Sequence, residues 1–185
     1  MMMYQAFGKR CDDLLIGISG LVLLSPLILV LVVLILIFDP GPVVFKQERI
    51  GVGGERFLFY KFRSMPVNTA SLPSGQLGTI KRTWIGNIIR ITNLDKLPQL
   101  FNIIKGDMSL VGPRPPIPSQ AALIDYRRKN SALQCRRRLT GLAQVNSYDG
   151  MSSTEKAVFD GRYANNVSLV GDIKIVLSTF RYLLK

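Results

Sequence analysis

The longest apolar stretch runs from Leu14 to Phe38 and carries no charged side chain. As one straight helix it is roughly 37 Å long, more than the roughly 30 Å of a bilayer hydrocarbon core. Ser25-Pro26 sits at its midpoint. A proline there removes one backbone hydrogen bond and crowds the preceding turn, so the pattern predicts a kink, with the serine hydroxyl capping the freed carbonyl. The residues alone leave two topologies open, a kinked full span and a helix that dips in and returns. Positive residues on both flanks, Lys9-Arg10 before the run and a basic body after it, lean towards re-entry and keep the body cytoplasmic. A cleaved secretory signal fits poorly, because the run is too long and Asp39-Pro40-Gly41-Pro42 offers no small-residue cleavage site.

Beyond the run the pattern changes period. Phe45–Met65 alternates and contains Gly51, Gly53 and Gly54, which predicts a β-hairpin. Pro66–Gly78, rich in Ser, Pro, Gly and Asn, reads as a loop whose shape bears on substrate choice. Thr83–Ile91 reads as a short helix, and Asp95–Lys105 as another, with Pro98 in its first turn and Gly106 as its stop. Val111–Pro118 holds four prolines and excludes helix, whereas Ser119–Cys135 reads as a basic helix. Ser152–Ala164 and Asp172–Leu184 are amphipathic, the second with Ile173, Val176, Leu177, Phe180 and Leu184 on one stripe. There are no internal repeats and no G-x-x-x-x-G-K-[ST] or G-x-G-x-x-G motif.

Charge sharpens this outline. The chain is 48% hydrophobic yet has a formal net charge of +12, and the excess falls on residues 39–185 because Lys9 and Arg10 balance Asp12 and Asp13. A basic body beside an apolar anchor points to an anionic phospholipid surface, phosphate-rich substrates, or both. Nucleic acid is the competing explanation of such charge, but no aromatic-basic stacking motif or recognition helix accompanies it. Two cysteines, Cys11 and Cys135, are too few for a disulfide framework or a zinc site. There is no histidine, so any chemistry falls to carboxylates, Lys, Arg, Ser or Tyr.

The densest chemical signal is Arg90-Ile-Thr-Asn-Leu-Asp95-Lys96-Leu-Pro98-Gln99, followed by Lys105-Gly106-Asp107-Met108-Ser109-Leu-Val-Gly112-Pro113-Arg114-Pro115. It places Asp95 at a helix start, where unpaired amides favour an anion such as a diphosphate. Arg90 and Arg114 flank it, and guanidinium groups bind phosphate oxygens bidentately. A carboxylate among arginines stays ionised and is able to attack phosphorus. The plainer reading is that Asp95 caps a helix.

The wider pattern resembles the bacterial sugar transferases, the small monotopic polyprenol-phosphate phosphoglycosyltransferases. The resemblance runs from Lys9-Arg10 and Asp13 through Ser25-Pro26, Gly41-Pro42-Val43, Phe45-x-Gln47-x-Arg49-x-Gly51 and Lys61-Phe62-Arg63-Ser64-Met65. It continues through the Asp95 and Gly112–Pro115 blocks, Thr140-Gly141-Leu142-Ala143-Gln144-Val145-Asn146, and Asp160, Tyr163, Asn166 and Asp172. It implies an α+β, helix-dominated fold: a head and kinked re-entrant membrane helix over residues 1–40, and a catalytic domain with amphipathic surface helices over 41–185. The location implied is the cytoplasmic face of the bacterial inner membrane, with the re-entrant kink at Ser25 and Pro26.

The reaction implied moves a sugar phosphate from a UDP-sugar to polyprenyl phosphate and releases UMP. Asp95 is then the nucleophile and holds the sugar phosphate covalently, with Mg2+ at Asp95 neutralising the diphosphate. By motif position Lys61, Arg63, Arg90, Arg114 and Pro115 bind substrate, and Gln144 and Asn146 approach the site.

Two positions depart from the family pattern. Lys96 stands where the family usually has Glu beside the Asp, which reverses a charge and weakens magnesium binding there. It leaves open either an active enzyme in which Lys96 faces solvent or phosphate, or a catalytically impaired, membrane-anchored scaffold. Arg137-Arg138 replaces a usual Pro-Gly, and these two charges read as solvated or facing lipid headgroups.

Overall fold

The structure, a computed structural model, describes residues 4–67, 83–146 and 150–183. The loop expected over Pro66–Gly78 lies outside the described residues from position 68 onward, as does Leu184. A π-helical turn (Tyr4–Gly8) leads into helices α1 (Lys9–Leu23) and α2 (Ser25–Phe38), which meet at a 60° bend. Its cause is local. Pro26 has no N–H to offer Val22 O, and the Ser25 hydroxyl donates to that carbonyl at 2.7 Å instead. No single helix among the described residues is long and apolar enough to cross a membrane, and only the bent pair taken together passes on length and composition.

Pro26→Ala restores the missing donor, so the bend is expected to relax. Spin labels on the exposed Cys11 and on an Ile37→Cys substitution should then move apart towards the roughly 39 Å of a straight helix. An unchanged distance would show that packing, and not the proline, sets the bend.

Helix α1 is polar on one side and apolar on the others. Arg10 donates to Ile103 O and Ile104 O at 2.7 Å each, binding the last carbonyls of α4 (Gln99–Lys105). Asp13 accepts from Leu110 N at 2.8 Å and Ser109 Oγ at 3.0 Å in strand β3 (Met108–Val111). Lys9 pairs with Asp172 at 2.6 Å, and the Tyr163 hydroxyl reaches the other oxygen of that carboxylate at 2.8 Å. Leu15, Ile18, Val22 and Leu23, in contrast, remain exposed.

The predicted hairpin forms from β1 (Val44–Ile50) and β2 (Arg56–Phe62), antiparallel with Gln47 opposite Phe59. Its turn uses Gly53 and Gly54 at φ 65° and 96°, the left-handed region that glycine enters without penalty. Helix α3 (Trp84–Ile91) begins one residue after its Thr83 cap, whose Oγ1 accepts from Gly86 N at 3.2 Å. At Gly86 a Cβ would lie 2.7 Å from Ser64 O, so glycine lets α3 settle on the end of the hairpin. Leu31, Ile35, Phe62, Ile85 and Ile89 form the core joining α2, β2 and α3.

The remainder is α5 (Ala121–Lys129), β4 (Arg137–Thr140), α6 (Leu142–Val145), α7 (Ser153–Asn165) and α8 (Leu169–Leu183). The basic helix expected over Ser119–Cys135 stops at Lys129, because Ser131 turns left-handed at φ 63° and only a 3-10 turn follows. Strands β3 and β4 pair in parallel, Met108 opposite Arg137. Helix α8 begins earlier than the sequence indicates. It buries Asp172 and Ile175 and turns Ile173, Leu177 and Phe180 outward, with Val176 packed on the core side of the expected stripe.

Arg137 and Arg138 overturn the reading of solvated or headgroup-facing charges: they are 0% and 3% exposed. The Arg137 guanidinium donates to Ile50 O, Gly51 O, Ala132 O and Leu133 O at 2.9–3.3 Å, tying the hairpin turn to the segment before β4. Burial lowers its pKa to about 9, which leaves it cationic at neutral pH. Arg138 lies along Gly141 and reaches 4.0 Å from Asp160.

Candidate active site

Asp95 does not open a long helix as the sequence suggests. It sits in a separate 3-10 turn, Leu94–Lys96, and α4 begins only at Gln99. Asn93 enters the turn in the left-handed region at φ 59°. From there Lys96 N bonds Asn93 O, Leu97 N bonds Leu94 O, and Leu100 N bonds Leu97 O, all in i,i+3 steps. Pro98 supplies no N–H to this series, which keeps the chain from closing into α-helix there. The field that favours an anion is therefore supplied by side chains and not by a helix end.

Asp95 is buried, and the charges acting most strongly on it are four cations: Lys96, Lys61, Arg90 and Arg114. Each comes from a different place. Lys61 is the penultimate residue of β2, where it lies opposite Phe45 with its ammonium 5.1 Å from that ring. Arg90 is in the last turn of α3, and Lys96 shares the turn with Asp95. Arg114 belongs to the proline-rich segment, where its carbonyl accepts from Arg127 at 2.7 Å.

Burial pushes the Asp95 carboxyl above the ordinary carboxylate range, and the four cations pull the other way without cancelling it. Lys61 is shifted down, first by burial and then by the repulsion of Arg90, Arg49 and Arg114, with Asp95 opposing.

The structure thus brings Lys61, Arg90, Lys96 and Arg114 around Asp95. Pro115 is buried beside Arg114. Arg63 is engaged at the exit of α2, where its guanidinium donates to Asp39 O and pairs with Asp39 Oδ1 at 3.3 Å. Asn146 turns back on its own helix and donates to Leu142 O at 2.8 Å, while Gln144 is half-buried in α6. Ser25 and Pro26 stand at the bend.

Arg49, within the Phe45-x-Gln47-x-Arg49-x-Gly51 motif, has a bridging role that its motif position does not convey. It donates to Pro115 O at 3.1 Å and to Gln47 Oε1 at 2.6 Å, and its guanidinium lies 5.2 Å from the Phe59 ring. With the Ile50 N bond to Pro116 O at 2.9 Å, it joins the hairpin to the segment that carries Arg114. The one signal for it was its alternation with Gln47 on a single strand face. A cavity of about 380 Å³ lies elsewhere, with Lys9, Cys135, Arg136 and Tyr163 in its wall and none of the cations around Asp95.

Magnesium is usually held through one or two carboxylates together with substrate phosphates. At Asp95 that carboxylate is already faced by four cations, one of them in its own turn. No group of three acidic, histidine or cysteine side chains able to hold a metal occurs among the described residues. A dication approaching Asp95 meets like charge, and the residues present do not fit a resident ion.

Residues 4–185 match the family model described as bacterial sugar transferase. The chain is 39% identical over 189 residues to the UDP-N-acetylgalactosamine-undecaprenyl-phosphate N-acetylgalactosaminephosphotransferase of Aeromonas hydrophila, covering 97% of this chain and 44% of that protein. It is 36% identical over 189 residues to the exopolysaccharide production protein ExoY of Sinorhizobium fredii, covering 93% and 83% respectively. It is also 36% identical over 182 residues to the UDP-glucose:undecaprenyl-phosphate glucose-1-phosphate transferase of Klebsiella pneumoniae, covering 92% and 39%. The chain therefore spans less than half the length of the first and third of these relatives.

Proposed function

This chain belongs to the bacterial sugar transferase family, and on that premise we propose that it transfers a sugar phosphate from a UDP-sugar to polyprenyl phosphate. UMP is the second product, and the step opens assembly of a surface glycan or glycoconjugate. The observation that carries the proposal is the buried Asp95 carboxylate among Lys61, Lys96, Arg90 and Arg114. The relatives' names supply the donor and acceptor classes.

The chemistry that fits this arrangement is a two-step displacement. An Asp95 oxygen bonds to the sugar-linked phosphorus, the bond from that phosphorus to the bridging oxygen breaks, and UMP departs with the electron pair. A polyprenyl phosphate oxygen then attacks the same phosphorus and expels the Asp95 carboxylate unchanged. Cations fixed before substrate arrives stabilise the charge on the equatorial and leaving oxygens without reorganising.

The acceptor and the bend suggest where this happens. The apolar faces of α1 and α2 are exposed, as are Trp84 and Ile91 on α3 and Val170, Ile173, Leu177 and Phe180 on α8. We read α1–α2 as a re-entrant hairpin, with α3 and α8 resting on the cytoplasmic surface of the inner membrane and the basic body against anionic phospholipid.

The test is UMP release by the full chain in lipid nanodiscs with polyprenyl phosphate and, separately, UDP-N-acetylgalactosamine, UDP-glucose and UDP-galactose. Release from at least one donor, dependent on the acceptor for repeated turnover, is expected. Binding of a donor with no release from any of them would favour the impaired scaffold.

A further inference from the structure

The position next to Asp95 sets a problem that the proposed reaction must solve. Breaking the diphosphate puts negative charge on the departing UMP, and the site described above does not fit a resident dication. Lys96 stands in the same 3-10 turn as Asp95 and is half-buried. Its ammonium donates to Asn93 Oδ1 at 2.8 Å. That contact orients the group through a neutral amide oxygen. The left-handed backbone at Asn93 is what brings an acceptor three residues back to the lysine. The charge is therefore positioned by the turn itself.

We propose that the Lys96 ammonium takes the place of a protein-held divalent cation, lying against the donor diphosphate and neutralising the oxygen on which UMP leaves, so that turnover needs no added metal. A lysine carries half the charge of such a dication. Lys61 in β2, Arg90 in α3 and Arg114 in the proline-rich segment act on the same carboxylate and make up the difference. Each group is attached to the backbone before substrate binds, whereas a metal ion has to be recruited and partly dehydrated. The bond changes are those already given: phosphorus gains an Asp95 oxygen, the bridging oxygen leaves with its electron pair on UMP, and no proton has to move.

This inference rests on the proposed transferase reading, so the test separates the two. Full-length parent, Lys96→Glu and Lys96→Arg are compared in nanodiscs for UDP binding by calorimetry and for UMP release, with EDTA or with magnesium. Equal melting temperatures serve as the folding control. The parent and Lys96→Arg should bind UDP and release UMP in EDTA to within about threefold of their values in magnesium. Lys96→Glu, which turns the local charge round, should lose about tenfold or more of its UDP affinity in EDTA and regain it with magnesium. A parent that loses about tenfold or more in EDTA and recovers with magnesium overturns the inference and leaves the transferase reading intact. So does a Lys96→Glu variant with the parent's response to EDTA. If the parent neither binds UDP nor releases UMP with or without magnesium, the transferase reading fails and this inference falls with it.

Discussion

Asp95→Asn is expected to stop UMP release, by about 10⁴-fold or more, in a protein that melts no lower than its parent. The substitution keeps the shape of the side chain but removes the anionic oxygen that attacks phosphorus. Its effect on stability follows from the direction of the Asp95 shift. Burial raises the carboxyl above its ordinary value despite four opposing cations, so the folded protein holds the Asp95 proton more tightly than the unfolded chain does. For an acid shifted upward, the associated stability is present below the unfolded pKa and is lost as pH rises through the folded pKa. Above the folded pKa the ionised carboxylate is thus a cost to folding, and the uncharged amide is free of it. Activity lost together with a clear fall in melting temperature would point to misfolding instead, and UMP release retained by Asp95→Asn would remove Asp95 as the nucleophile.

The second large effect concerns stability and lies behind the site. Arg127 and Asp160 are 0% and 1% exposed, and two guanidinium nitrogens meet one carboxylate oxygen at 2.8 and 2.5 Å. Asp160→Ala removes the carboxylate and leaves a buried guanidinium, with about 3–5 kcal/mol lost. Total stabilities of about 5–15 kcal/mol make that a severe lesion. Arg127 also holds the Arg114 carbonyl, so the same substitution should loosen the segment that brings Arg114 to Asp95. The double substitution Arg127→Met with Asp160→Leu should cost less than Asp160→Ala alone, since the Arg127 charge is then removed together with its carboxylate and only the longer 4.0 Å contact of Arg138 is lost. Denaturant midpoints of the three variants decide it, and a loss under about 1 kcal/mol in Asp160→Ala would mean that solvent reaches the pair.

Legibility in the sequence followed the range of the cause. The Ser25-Pro26 bend, the hairpin and the starts of α3 and α7 were readable because proline, glycine and capping residues act within a few positions. Ser152, for example, caps α7 with a complete capping box to Glu155. The parallel pairing of β3 with β4 was not readable. Each strand has four residues, too short for alternation to register, and Met108 meets Arg137 across a long stretch of chain.

Arg137 and Arg138 misled for a related reason. Arginine is seldom fully buried, and the carbonyls that accept from Arg137 belong to Ile50, Gly51, Ala132 and Leu133, two of them far away in sequence. At the site, Asp95 and its flanking arginines were evident from spacing. The engagement of Arg63 by Asp39 and the bridging role of Arg49 depend on where the hairpin lands, which no local pattern records.

The most direct measurement is the intact mass of the full chain after incubation with a turnover-competent UDP-sugar and no polyprenyl phosphate. A covalent route predicts a protein heavier by one sugar phosphate, with UMP released in matching amount and the added mass lost when polyprenyl phosphate is supplied. Asp95→Asn should show neither adduct nor UMP. An unmodified parent that releases UMP only when polyprenyl phosphate is present would contradict the account and indicate direct transfer between the two substrates.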